Sequence, residues 1–385
     1  MSSAIRNERG SVFMTTMIAM LLMLVTGGYM YQVADQEFYN VKQLQTRTQA
    51  KYLSDAGLSY ALGSLKDSWS TTASFSTTSL GQGSYSAVAA TTSGRTLITA
   101  TGTVGSTTRT ATAEVTAPGV SALDYVFASG GDLHIDSGTS SSPGAITGDI
   151  YSGGDMELDG PSTGGDLVVT GALDSTGTID VDAGDVTVSG TQTPAFSQTV
   201  TFPTVDFSYY QAIAVANGQY ISTDKAYGAA SPIPAAPAGG VIFVNGNITI
   251  AAGTHNTTAC LVATGNITIS KSGSAYPYIR ITAPTVAGAT YPAVLCGGNF
   301  TYSTTGNASP DAYLIITGLV YPQGNFTFSS GNHTSLTITG SVLARGDINV
   351  TPTAFTLLGA TYNGTATPPG FTLGTVEMEV VSYNS

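Results

Sequence analysis

Twelve carboxylates and no lysine or arginine lie between Asp124 and Asp185. On an extended strand alternate residues face one way. Asp155, Glu157 and Asp159 therefore share an outer face, as do Asp132, His134 and Asp136, and Asp180 and Asp182. If the segment folds into rungs stacked about 4.8 Å apart, carboxylates on adjacent rungs repel. Calcium, which takes about six to eight oxygen ligands, would relieve that repulsion. Its candidate ligands are Asp155, Glu157, Asp159, Asp180 and Asp182. The favoured alternative is a solvated acidic face that keeps the fold soluble. The spacing matches neither an EF-hand loop nor a glycine-rich nonapeptide calcium repeat. Apart from calcium, no cofactor is implied.

Other chemistry is sparse. A glycosidase needs two carboxylates at a defined separation, and the acidic segment could supply a pair. A polysaccharide lyase needs a basic residue beside its calcium, and Arg280 and Arg345 are among the few candidates. His134, His255 and His333 are scattered, have no nucleophile motif beside them, and read as surface residues. Catalysis is not expected, and an enzyme acting on polysaccharide stands as the alternative. Cys260 and Cys296 occupy different positions in a repeat, the first and the fourth. Their side chains should face opposite ways, beyond the reach of a disulfide. The net charge of −12 argues against nucleic-acid binding, which needs a basic footprint.

That repeat positions the chemistry. A block of short strand, two variable residues, Gly, then Asp or Asn, then an apolar-polar-apolar strand recurs. It appears at Gly131-Asp132, Gly154-Asp155, Gly184-Asp185, Gly246-Asn247, Gly265-Asn266, Gly298-Asn299, Gly324-Asn325 and Gly346-Asp347. Several neighbouring copies are 19 to 33 residues apart, a period that indicates stacked rungs. Glycine supplies backbone freedom at a corner, and Asp or Asn bonds its own backbone there. Ile248 and Ile250, Ile267 and Ile269, Phe300 and Tyr302, and Phe326 and Phe328 should stack inside. Thr249, Thr268, Thr301 and Thr327 should form an outer row. The pattern predicts a parallel β-helix; a sandwich of hairpins is the other fold these turns allow. The Asn-X-Ser/Thr matches at Asn247, Asn266, Asn299 and Asn325 are better explained by these turns and rows than by glycosylation.

The fold class is therefore mainly β, with a long N-terminal helix. Rungs are expected over 119–193 and again over 241–385. Between them, 194–240 reads as an insert with a helix over 207–217, started by Asp206 or Ser208, and a Pro-rich connector over 231–237; it lies either across the side of the solenoid or between the early and the later rungs. Before the rungs, 70–118 shows period-two strands at 83–88, 96–101 and 108–115, a small antiparallel meander. Charged residues are only 9 % of the chain, against about 25 % in an average soluble protein, as suits rigid β structure outside a cell.

The first 69 residues carry the remaining signal. Arg6-Asn7-Glu8-Arg9-Gly10 is followed by an apolar run over 11–34 with no charge in it, long enough to span a bilayer. Arg6 and Arg9 place the N-terminus in the cytoplasm. Phe38, Val41, Leu44, Tyr52, Gly57, Leu58, Ala61, Leu62 and Leu65 then include helical spacings. Gly27-Gly28 marks either a hinge or a close helix contact.

Glu8-Arg9-Gly10-Ser11-Val12-Phe13 ahead of the apolar run resembles a type IV prepilin N-terminus. Gln49-Ala50-Lys51-Tyr52-Leu53-Ser54-Asp55-Ala56-Gly57-Leu58 resembles the Ala-Glu-Ala-Gly-Leu signature of PilX-like minor pilins, with Asp55 where Glu is usual. The resemblance implies a leader, 1–10, cut between Gly10 and Ser11 by a prepilin peptidase, and a retained helix, 11–69. Thr15 stands where major pilins carry an assembly glutamate, which implies a minor subunit. The implied partners are other pilins and minor pilins, the inner membrane before assembly, and surface glycans or host or abiotic surfaces afterwards. The implied role is at the tip of a type IV pilus or related filament, in assembly or adhesion.

Overall fold

The computed structural model describes residues 5–67, 72–92, 95–116, 119–136, 144–160, 166–182, 185–196, 198–251, 253–270, 277–304, 312–330, 334–351, 367–373 and 380–384. These belong to two units, one comprising Met1–Pro118 with Met378–Ser385, the other Gly119–Glu377.

The first unit is built on α1, Ile5–Asp67. Its apolar residues from Val12 to Tyr31 are exposed. From Ala50 onward the helix lies on a sheet. Ala50, Leu53, Ser54, Gly57, Leu58, Ala61 and Leu65 recur at steps of three and four and are buried. Phe38, Val41, Leu44 and Tyr52, expected on the same face, are exposed: the first three because the sheet reaches only the C-terminal part of the helix, Tyr52 because it lies off the buried stripe of Ala50, Leu53 and Ser54. That sheet is an antiparallel meander of β1 Thr72–Leu80, β2 Gly83–Thr92, β3 Arg95–Val104 and β4 Thr107–Thr116. It has one strand, β1, more than the expected three. Gly81 and Gly105 open the two-residue turns at φ +61° and +58°, as primed hairpin turns require. A side chain at Gly102 would strike the backbone of Ala50 and Ser54, so helix and sheet touch there backbone to backbone.

A fifth strand corrects the expected boundary at the C-terminus. Val380–Asn384 pairs antiparallel with β4, and the Tyr383 hydroxyl donates to Asp55 Oδ1 at 2.8 Å. The last rungs therefore do not run to 385. The second unit is an insertion between β4 and this strand.

The second unit is a parallel β-solenoid with three faces. One turn comprises Cys260–Ala263, Ile267–Ser270 and Pro277–Thr282. The first sheet has ten strands and the second nine; the third face is described as pieces of three and four strands. The stacking order differs from chain order. In the first sheet, Phe127–Ser129 lies between Ile150–Ser152 and Val342–Ala344. The chain enters mid-stack, winds to one end at Gln192–Thr193, crosses to the other end at Tyr220–Ile221, and winds back against its own first turn. Both halves advance in the same direction, so the solenoid is a circular permutation of a simple stack. Of the two places open to the insert 194–240, the structure has the first: it lies across the side of the solenoid, with its helix on the outer face of the first sheet, and does not separate two sets of rungs. Its first part, up to residue 219, is the crossing that returns the chain, and the second set starts at Tyr220 rather than 241.

The inner core follows the predicted alternation. Ile248, Ile250, Ile267 and Ile269 are buried, Phe300 stacks on Phe326 at 5.1 Å, and Tyr302 on Phe328 at 4.6 Å. Away from its two end strands the first sheet is largely buried on both faces, which explains apolar runs such as Val241–Val244. Its outer side carries Phe243, Val262, Leu295 and Tyr321, in one cluster with Tyr210 and Ala214 of α2, Phe207–Ala216. Asp206 caps α2, its Oδ1 accepting from the amides of Ser208 and Tyr209 at 2.9 and 3.4 Å.

A ladder of hydrogen bonds runs along the corner between the first and second sheets. Side-chain Oδ1 of each residue accepts the backbone N–H of the next in the order Asp224, Asn247, Asn266, Asn299, Asn325, Asp347, Asp132, Asp155, Thr178, at 2.7 to 3.1 Å. It crosses the junction between the two halves at Asp347 and Asp132. The ladder corrects two details of the repeat. Thr178, not Asp185, holds the corner after Asp155, and Asp224, with no preceding glycine, starts the series. The corner glycines are not there for left-handed backbone, since only Gly246 has positive φ. Each one's missing side chain leaves room for the oxygen below: a Cβ at Gly298 would clash with Asn266 Oδ1. Gly298→Ala is expected to cost roughly 1–3 kcal/mol, more than the roughly 1 kcal/mol of Asn266→Ala, which removes one hydrogen bond. Urea midpoints of the two variants check the order.

Candidate functional site

The outer row of the second sheet runs in register through Thr249, Thr268, Thr301, Thr327, Asn349, His134, Glu157 and Asp180. It changes from hydroxyls to charge where the halves join. There His134 Nε2 lies 3.2 Å from Asp159 Oδ2 and 4.0 Å from Glu157 Oε2. Sequence reasoning placed His134 with its strand mates Asp132 and Asp136. The 23-residue step between corners Asp132 and Asp155 would have aligned it with Glu157 instead. Asp155 does not join this group. Its carboxylate accepts from the amide and hydroxyl of Thr178 at 2.8 Å each, and these bonds hold its pKa below the ordinary value. Asp180 is next to Glu157 in the row, and Asp182 is exposed just beyond the strand Ile179–Val181.

The remaining candidates fall elsewhere. Arg345 Nε donates to Tyr321 Oη and its Nη2 to the Pro203 carbonyl, each at 3.0 Å, so its charge ties the crossing segment to the first sheet. Arg280 is exposed on the third face, paired in register with Asn256 and Ile315, beside the edge-on Tyr278–Tyr313 pair. His255 is buried, which corrects its reading as a surface residue. Its Nδ1 accepts from Ile233 N at 3.3 Å and Nε2 lies 3.2 Å from Ala251 O, fixing a neutral tautomer whose pKa burial lowers. It thus anchors the Pro-rich connector, which sequence periodicity could not show. His333 lies outside the described residues. Cys260 faces the outer core and Cys296 the inner core, as free thiols; burial pushes the Cys296 thiol up to about 12. Gly10, Ser11, Thr15, Gly27 and Gly28 all lie within α1. The Thr15 hydroxyl donates to the Val12 carbonyl at 2.9 Å, and a side chain at Gly27 or Gly28 would meet nothing.

A second polar group sits under the crossing segment. The Tyr125 hydroxyl donates to Asp174 Oδ2 at 3.1 Å. Burial, ahead of the nearby Asp149 charge, raises the Asp174 carboxyl above 3.8, although hydrogen bonds from Thr193 and Tyr125 pull it down. Burial also raises the Tyr125 and Tyr151 phenols.

No family model matches the chain, and no curated protein matches it. Among solved structures it is similar to the crystal structure of the competence-associated pilin ComZ from Thermus thermophilus, at 11% identity over 88% of this chain and 97% of that one, with a TM-score of 0.37.

A raised carboxyl binds its proton more tightly in the folded state. The contribution of Asp174 is therefore full below pH 3.8 and lost as pH rises through the raised value. Asp174→Asn keeps an acceptor for Tyr125 without the charge. Its thermal midpoint is expected above the parent's at pH 7, with the gap closing by pH 3. A gap independent of pH would show that the charge is not the cause.

Proposed function

We propose that the chain is a minor-pilin-like subunit that displays a β-solenoid from the tip of a type IV pilus or related filament. The observation that carries this is α1. One helix holds an exposed apolar segment long enough to cross a membrane, and its C-terminal part is buried on an antiparallel sheet. That division suits a helix that sits in the membrane before assembly and packs among other subunits afterwards, while the sheet covers its C-terminal part. The Gly10-Ser11 junction and the signature around Asp55 support the same reading, with a prepilin peptidase as processing partner. Thr15, in place of a glutamate, favours a rare subunit.

The solenoid serves as a contact surface for glycans or solid surfaces rather than as an enzyme. Its outward row of mostly half-buried threonines and exposed acids on the second sheet, and the Tyr278, Tyr313 and Arg280 patch on the third face, are candidates for that contact. A polysaccharide-cleaving reading gains no support from Arg345, which is held by Tyr321 and Pro203.

Immunogold labelling of sheared filaments with antibody to the solenoid tests the placement. Few copies at one end, with residue 11 as the mature N-terminus, are expected. Even labelling along shafts would remove the tip assignment. An intact Met1 in filaments would remove the pilin reading itself.

A further inference from the structure

We propose that His134, Glu157 and Asp159 form a binding site for a divalent transition metal of the zinc class on the outer face of the second sheet. The three donor atoms lie within 4.8 Å of one another. A tetrahedral ion with bonds of about 2.0–2.2 Å holds its ligand atoms about 3.3 Å apart. His134 Nε2 and Asp159 Oδ2, at 3.2 Å, already have that separation. Glu157, the longest and most exposed side chain of the three, lies 4.0 Å from the same nitrogen, a distance that needs to close by less than 1 Å.

The backbone holds these positions. His134 and Glu157 pair in register on adjacent parallel strands, with Asp159 two residues on. Leu133, Ile135, Met156 and Leu158, the inward residues of those strands, are buried, so the pleat fixes which way the ligands point. Sites on such elements keep their geometry better than sites on loops.

The electrostatics favour a cation. No lysine or arginine occurs between Asp124 and Asp185. Asp180 and Asp136 pair in register with Glu157 and Asp159 and add negative charge beside the site. The donor set decides which cation. Calcium and magnesium take oxygen ligands, whereas imidazole suits zinc and its neighbours in the first transition row. The group is thus distinct from an all-carboxylate calcium set, and Asp155, engaged by Thr178, takes no part. Side-chain exposures of 32%, 55% and 38% leave room for a fourth ligand, either water or a carboxylate or imidazole from another molecule. The site does not depend on the pilin assignment.

The test uses the full-length chain in detergent after chelation. Calorimetric titration with zinc, and separately with calcium, reads stoichiometry and affinity. One zinc per chain is expected, bound at least 100-fold more tightly than calcium. His134→Ala and Asp159→Ala should each weaken zinc at least 10-fold while leaving the metal-free thermal midpoint within about 1 °C of the parent's. Asp155→Asn should leave zinc affinity unchanged. Replacing zinc by cobalt should give visible absorption bands that His134→Ala alters. The proposal is overturned by the absence of stoichiometric zinc binding, by zinc binding that survives both substitutions, or by calcium binding as tightly as zinc. In the last case the acidic face is an oxygen-only site.

Discussion

Each turn of the solenoid is held to the next by a side-chain oxygen at the corner that accepts the following turn's backbone N–H. That one bond constrains the sequence in two ways. The residue at the corner must carry a short side-chain acceptor, which Asp and Asn supply. The residue before it must have no side chain, because the acceptor of the neighbouring turn occupies that space. Gly-Asn and Gly-Asp are therefore one device rather than a turn plus a cap. The inner stacks of Ile, Phe and Tyr supply the apolar burial, but burial alone is tolerant of slippage. The ladder fixes which residue lies over which, and so sets the outer rows as well.

The same ladder explains how a permuted chain builds a continuous stack. Asp132 takes its place above Asp347 as if the two were consecutive. A chain that enters at mid-stack must then travel from one end of the solenoid to the other. The crossing segment is put to use: α2 and its neighbours cover the outer face of the first sheet and close a second core around Tyr210, Phe243 and Tyr321. Arg345 and Tyr321 fasten it through the Pro203 carbonyl. A further result is that the acidic half of the solenoid adjoins the threonine-rich half along one row. His134, Glu157 and Asp159 come together on two adjacent turns of that arrangement.

Much of this was legible in the residues themselves. Period-two alternation gave the inner and outer positions of Ile248, Thr249 and Ile250, and the Gly-Asn repeat gave the parallel rungs. Asp206 marked the start of α2. The order of the turns was not legible, because a local repeat says that turns stack without saying which end the chain starts from. The buried role of His255 depends on a connector 22 residues away in sequence, and the exposure of Phe38 and Leu44 on where the sheet ends. Cross-rung register, not strand periodicity, assembles the His134 group. The C-terminal strand was missed because five residues, Val380–Asn384, all exposed, show no pattern until β4 offers them an edge.

The permuted stack is tested most directly by paired cysteines across the junction. Asn349 and His134 are 215 positions apart in sequence but directly paired in register. Their Cα atoms should be about 4.8 Å apart, as parallel neighbours are, within disulfide range. Asn349→Cys with His134→Cys should form a disulfide on mild oxidation as readily as the control Thr327→Cys with Asn349→Cys, which joins two turns of one half. Efficient bonding in the control with none across the junction would contradict the continuous stack.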